Sequence, residues 1–283
     1  MTPAALLAGA PPISLFDALV LGLVEGLTEF LPISSTGHLI VAESLLGLHD
    51  SPLGNVFTIG IQMGAITAIL VIYWQRLFDA ARTILRPAAG SPNLLLQIVV
   101  AAMPAAVLGL LADDWIDGHL FSVAVVALTM VGGGVLLLWL ERFVGGGGAL
   151  GRELPEMSYR TALWIGLFQC LALVPGTSRS AATIGGALLL GLSRTAAAEF
   201  SFLVGLPILY GASLWKLVKH RDLLTSDVVL PLCTATVVAF LSALVVVRPF
   251  VRFLRANTFA PFAWYRIAGG LLLGIASWRG WIE

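Results

Sequence analysis

Six apolar runs, at residues 56–74, 94–112, 120–140, 199–217, 228–247 and 262–281, each come close to the length of a bilayer-spanning helix. A crossing needs about 20 apolar residues as helix, and inside lipid only helices and closed barrels satisfy their own backbone hydrogen bonds. Runs this long read as helices, so the chain is expected to be an all-α polytopic membrane protein. Composition agrees: 11% of residues are charged, against roughly 25% in soluble domains. With 16 basic and 16 acidic residues and no basic run, nucleic acid is not an expected partner. Cys170 and Cys233 lie in apolar runs without metal-ligand spacing and read as packing residues. The amino terminus lacks the Lys or Arg that opens a cleavable signal peptide, so the first apolar run reads as mature structure.

Two other segments are too broken to cross. The run 15–31 stops at Pro32, and the stretch after it, 38–48, falls well short of a span. Past the midpoint, a second Pro-interrupted segment with PGTSRS at 175–180 is followed by another short stretch, 180–192. Each reads as a re-entrant helical hairpin whose tip faces a polar cavity, because irregular backbone at membrane depth is tolerated only there. The two halves also resemble each other. LGLVEGL at 21–27 parallels IGLFQCL at 165–171, Pro32-Ile-Ser-Ser matches Pro175-Gly-Thr-Ser after a one-residue offset, and GGGVLLLW at 132–139 parallels GGLLLGIASW at 269–278. The expectation is one integral membrane domain, 1–283, built from repeats 13–143 and 157–283 with a flexible linker at 144–156. Each repeat would hold one re-entrant hairpin and three transmembrane helices. Three is an odd number of crossings, so the second repeat is expected to have inverted topology.

Sorted this way, Arg76, Arg82, Arg86, Arg142, Arg152, Arg160, Arg194, Arg248, Arg252 and Arg255 fall on one side, leaving Lys216, Lys219, Arg221 and Arg279 on the other. The positive-inside rule makes the first side cytoplasmic and both termini external. The first hairpin then enters from outside and the second from the cytoplasm, and their tips can meet near the midplane.

Those tips carry the polar chemistry. Glu25 and Glu29 stand one helical turn apart on one face, and Ser34, Ser35, Thr36 and His38 follow the break. An ionisable group near the bilayer centre costs at least roughly 2.5 kcal/mol, so each is a functional candidate by default. The second tip sets Thr177, Ser178 and Ser180 around Arg179. A guanidinium fork binds phosphate oxygens in pairs, and backbone N–H groups at the start of the return helices add an anion cradle. Two carboxylates repel a phosphate but can hold a divalent cation, Mg²⁺ or Ca²⁺, that bridges to one. Together these parts suit phosphoryl transfer on an amphiphile whose phosphates sit in the cavity and whose tail lies in lipid. Plainer roles stand beside these: helix capping for Ser34 and Ser180, and a helix-start hydrogen bond for His38. Gln169, at the repeat position of Glu25, and Gln62, inside a span, are candidates for a supporting shell. Glu199 and Arg266, near span ends, read as structural ion-pair residues, and the eight Trp as interfacial anchors.

EGLTEFLPISSTGH and PGTSRSAATI resemble the two signature motifs of the undecaprenyl-diphosphate phosphatase family of the bacitracin-resistance type. FQCLALVPG at 168–176, SRTAAAEFSFLVGLP at 193–207 and the pair Tyr265-Arg266 are also similar to it, and the likeness covers about 17–278. The resemblance implies hydrolysis of undecaprenyl diphosphate, dependence on a divalent cation, and recycling of a carrier lipid for peptidoglycan synthesis, with bacitracin resistance. It implies that the family's acidic pair falls on Glu25 and Glu29, its hydroxyl and imidazole on Ser35, Thr36 and His38, and its second-motif pair on Ser178 and Arg179. Ala181 departs from the Gly often found at its place. The expected partners are undecaprenyl diphosphate and the lipid of a bacterial inner membrane, with the site opening to the periplasm and a homodimer left open. Attack by Ser35 with His38 moving a proton, and direct attack by a metal-activated water, both fit the sequence. On architecture alone a polyprenyl-phosphate transporter or flippase would share the midplane site. SSTGH also has a superficial likeness to the Ser-Gly-His motif of type 2 phosphatidic acid phosphatases, but no His and Asp follow Ser178-Arg179 at helical spacing.

Overall fold

Among the residues described, 13–48, 52–85, 92–144 and 151–282 of a computed structural model, eleven α-helices supply nearly all the regular structure. In chain order they are α1 (Leu15–Thr28), α2 (Ser35–Leu45), α3 (Pro52–Ile72), α4 (Trp74–Leu85), α5 (Leu94–His119) and α6 (Val123–Val144). The second half adds α7 (Tyr159–Gln169), α8 (Arg179–Leu189), α9 (Arg194–Lys219), α10 (Ser226–Leu254) and α11 (Ala260–Trp278).

Four of these, α5, α6, α9 and α10, are long and apolar enough to cross a membrane, and α3 with α4 makes a fifth if the 71° bend between them lies within one span. Six full spans were expected. The last of them, α11, is not among the four because Trp264, Tyr265 and Arg266 dilute its apolar character. The connection expected at 75–93 is helical from Trp74 to Leu85 and carries Arg76 and Arg82, while Arg86 and His49 lie outside the described residues. The linker also differs from expectation. Over 151–156 it is ordered, with Arg152 N–H bonded to Gly191 C=O at 2.9 Å and Ser193 N–H to Arg152 C=O at 3.0 Å. Residues 145–150 lie outside the described set.

Asp113, Asp114 and Asp117 belong to the last turns of α5 rather than to a loop. Carboxylates at a helix C-terminus oppose the macrodipole, and two lysines at the end of α9 offset them. Lys216 reaches Asp113 at 2.8 Å and also pairs with Asp117, and Lys219 reaches Asp113 and Asp114 at 2.7 Å each. At the other end of α9, Arg194 pairs with Glu141 of α6 at 2.7 Å, and Glu199 pairs with Arg76 of α4. Charge therefore ties both ends of α9 to its neighbours.

Small residues let the shorter helices seat deeply. A Cβ on Gly22 or Gly26 of α1 would strike the carbonyls of Ala235 or Ala239 on α10, and one on Gly166 of α7 would strike the Ala101 carbonyl on α5. Close backbone approach of this kind is how helices associate where lipid removes the hydrophobic drive. The first helix of each half thus lies against a long helix of the other half, and α6 lies along α11.

The two hairpins share their local devices. Ser14 and Ser158 cap the ingoing helices, Ser34 and Ser178 cap the returning ones, and Gly47 and Gly191 end those with positive φ. Because Ser34 and Ser178 accept from the N–H groups of Gly37 and Ala181, the return helices begin at Ser35 and Arg179, earlier than the expected 38 and 180. The ingoing α1 stops at Thr28, short of the expected 31, and residues 29–33 form the turn. The structural counterpart of Ser34 is therefore Ser178, one residue off the match read from the two Pro motifs. In that register Ser35 answers to Arg179.

Candidate active site

The tips touch directly. Ser180 Oγ, on the first turn of α8, donates to the Leu31 carbonyl at 2.9 Å, and Ser178 Oγ lies 3.0 Å from Ser180 Oγ. Arg179 Nε and Nη2 then reach Glu29 Oε1 at 3.3 and 3.2 Å, and Nη1 donates to the Ser201 carbonyl of α9 at 2.7 Å. Gly205 of α9 leaves room for this guanidinium, since a Cβ there would stand 2.9 Å from its carbon. The other oxygen of Glu29 accepts from Ser35 Oγ at 2.8 Å. One buried carboxylate from the first tip thus holds a hydroxyl of its own return helix and the guanidinium of the other. Charge-assisted hydrogen bonds in such a setting are roughly twice as strong as neutral ones.

A cavity of about 200 Å³ opens on this pair, lined by Glu29, Ser34, Ser35, Thr36, Ser178 and Arg179 with Gln62 of α3 and Gln169 of α7. Both glutamines expected in a supporting shell face it. Four other expected site residues do not line it. Thr177 contributes its carbonyl to Arg266 and Ser180 its hydroxyl to Leu31. Glu25 is fully buried, and His38 lines a separate apolar cavity of about 730 Å³ with Phe16, Val20, Leu272 and Tyr265. His38 Nδ1 lies 2.7 Å from the Ser34 carbonyl and Nε2 2.7 Å from the Tyr265 hydroxyl. A carbonyl only accepts, so this network assigns the ring proton to Nδ1 and makes Nε2 the acceptor from Tyr265. The hydroxyl of Ser35 bonds to Glu29 rather than to His38.

Glu25 and Gln169 have an unusual feature in common. Among the described residues neither carboxylate oxygen of Glu25 and neither amide atom of Gln169 has a hydrogen-bond partner, and both side chains are buried. Leaving such groups unmatched costs several kcal/mol on the order of their desolvation, so a polar or charged ligand is the natural complement. Among the described residues no group of three or more His, Cys, Asp or Glu forms a ready cation cage. The oxygens of Glu25, Glu29 and Gln169 are hard donors and suit a Mg²⁺- or Ca²⁺-type ion that completes its shell with phosphate or water.

Arg266 is the site residue that sequence reasoning placed wrongly. It is not a span-end ion-pair residue: it is fully buried and bonded to backbone carbonyls of both tips. Nη1 donates to Thr177 at 2.8 Å and Pro32 at 3.5 Å, Nη2 to Thr129 at 3.0 Å and Gly176 at 3.1 Å, and Nε to Met130 at 3.3 Å. Gly133 makes the space, since a Cβ there would collide with the guanidinium. The sequence signal for this role is GGG at 132–134 together with an arginine inside an apolar helix. Glu199, by contrast, does form a structural ion pair.

Two comparisons bear on this geometry. The family model for bacitracin resistance protein BacA matches residues 18–272. Among curated relatives, undecaprenyl-diphosphatase 1 of Chromobacterium violaceum is 46% identical over 276 residues, covering 95% of this chain and 98% of its own. Undecaprenyl-diphosphatase 2 of Rhodospirillum rubrum is 48% identical over 271 residues, covering 96% and 98%. The undecaprenyl-diphosphatase of Nitrosomonas europaea is 45% identical over 276 residues, covering 95% and 97%.

Proposed function

The chain belongs to the bacitracin resistance protein BacA family, and from that premise we propose that it is an enzyme hydrolysing undecaprenyl diphosphate to undecaprenyl phosphate and inorganic phosphate. The observation that carries the site assignment is Glu29, which holds the Ser35 hydroxyl on one oxygen and Arg179 on the other inside a small polar cavity. Arg179 and the N–H groups opening α2 and α8 receive the diphosphate oxygens, with Thr36, Ser34 and Ser178 beside them. Ser35 Oγ attacks the terminal phosphorus as its proton passes to Glu29. The bridging P–O bond breaks, and its electron pair leaves with undecaprenyl phosphate. Water then cleaves the phosphoserine and releases phosphate. Direct attack by water on the same bound diphosphate is the rival step. A divalent cation, held by Glu25 and Glu29 with Gln169 near, would supply neutralising charge for the phosphates. His38 is a positioning residue in this scheme, fixing the start of α2 to Tyr265 of α11.

The paired caps of the two hairpins, and the packing of each half's first helix on the other half, support two inverted repeats whose tips meet at the midplane. In that arrangement the arginine-rich end faces the cytoplasm, the site opens to the periplasm of an inner membrane, and the product re-enters carrier-lipid recycling for cell-wall synthesis. A lipid transporter on the same site is not favoured, since the relatives are named as diphosphatases over nearly their whole length.

The test is phosphate release from undecaprenyl diphosphate by purified protein, with and without EDTA, beside Glu29→Gln and Arg179→Ala. Metal-dependent release that both folded variants lose supports the reading, and a folded wild type that releases none overturns it. Trapping of phosphoserine at Ser35 separates the two attacks, because the water mechanism leaves Ser35→Ala near normal turnover.

A further inference from the structure

A second, larger cavity of about 1030 Å³ lies away from the tips, between the end of α6, the start of α9 and the connection into α11. Three arginines line it, Arg142, Arg194 and Arg255, against one carboxylate, Glu141. That carboxylate is already matched, by Arg194 at 2.7 and 3.3 Å and by the Phe259 N–H at 2.7 Å. The side chains of Arg142 and Arg255 remain, both residues exposed and neither guanidinium with a hydrogen-bond or ion-pair partner among the described residues. Two guanidinium groups lining one cavity whose single carboxylate among the described residues is engaged elsewhere call for an anion, and their planar forks match phosphate oxygens.

The surroundings say which kind of anion. Trp139 and Trp264 flank the cavity and are more than half exposed, as aromatic side chains at the headgroup level of a bilayer are. Trp139 also lines an adjoining apolar groove of about 280 Å³ that runs along α6 past Leu136 toward Phe168 and Leu171. A charged cavity flanked by two exposed tryptophans, one of which it shares with an apolar groove, fits a ligand with an anionic head and a hydrocarbon chain. We propose that this cavity is a binding site for the phosphate headgroup of an anionic phospholipid, held by Arg142 and Arg255 with one acyl chain lying past Trp139. Basic pockets between membrane helices recognise lipid headgroups in this way. The site is separate from the phosphatase chemistry and does not rest on it.

The experiment is native mass spectrometry of the full-length protein in detergent, titrated with phosphatidylglycerol, with phosphatidylcholine of the same chains, and with inorganic phosphate. Wild type is expected to prefer phosphatidylglycerol by roughly tenfold, from two arginines at the headgroup level. Arg179→Ala should keep that preference. The double variant Arg142→Gln/Arg255→Gln should lose it while retaining phosphate release. If the double variant fails to fold, each single variant should lose about half of the preference on a logarithmic scale. Phosphatidylglycerol preference that survives the loss of both arginines overturns the proposal. So does displacement of the lipid by millimolar inorganic phosphate, which would make this a free-phosphate site, and so does a wild type that binds both lipids alike.

Discussion

At each hairpin tip a serine with positive φ caps the return helix, Ser34 at 73° and Ser178 at 70°, yet the next residue is a hydroxyl at one tip and a guanidinium at the other. The ingoing helices differ in the same way. The first brings Glu25 and Glu29, while the second brings Gln169 at the position of Glu25 and no acid after it. Backbone geometry is shared because both tips make the same tight turn and must satisfy the same N–H groups at the start of a return helix. The side chains differ in sign, as the proposed phosphate site requires, and two acidic tips facing each other would repel. The ion pair of Glu29 and Arg179 therefore forms only across the two halves, and each half alone would bury an uncompensated charge.

The largest break in that comparison is Arg179→Ala. It leaves Glu29 buried without its cation, so we expect a loss of about 10³-fold or more in turnover and a destabilisation of about 3 kcal/mol, read by phosphate release and thermal unfolding in detergent. Glu29→Gln keeps the volume and removes the charge. It should cost about 10³-fold in turnover with a smaller change in melting temperature; equal activity would remove Glu29 from the chemistry. Next comes Arg266→Lys, since one ammonium cannot reproduce a fork bonded to both tips. Turnover is expected to fall about 10²-fold through misplaced tips, and Gly133→Ala, which crowds the same guanidinium, should shift kcat in the same direction. The shared scaffold is tested by Ser34→Ala and Ser178→Ala. Each removes a cap and leaves alanine at positive φ, so both should lose about 1–2 kcal/mol of stability, with glycine at either position losing less. Unequal losses would show that the tips are not equivalent as backbone. The smallest effect is expected for Tyr265→Phe, which removes one hydrogen bond to His38 at about 1 kcal/mol and should change turnover less than tenfold. A loss as large as that of Glu29→Gln would move His38 from positioning into catalysis.

Much of this was written along the chain. Apolar runs of bilayer length fix helices, because lipid offers the backbone no other partner, and Pro breaks flanked by hydroxyls mark the turns. Glu25, Glu29, Ser35, Ser178 and Arg179 stood out as costly polar groups in an apolar chain. Gln62 and Gln169 were legible as intramembrane amides, and both face the cavity. Local caps moved the element ends by a few residues, because Ser34 and Ser178 open the return helices with side-chain oxygens that hydropathy does not register.

Direction and partnership came from the tertiary structure alone. His38 and Ser35 are three residues apart on one helix, yet one turns toward Tyr265 and the apolar cavity and the other toward Glu29. Arg266 looked like a span-end charge until the two tips supplied the carbonyls it binds. Sequence determined which residues lipid could not tolerate without a partner. Which partner each received was decided by packing, because hydrogen bonds across residues as distant as 32 and 266 depend on how helices cross and on the glycines that let them approach.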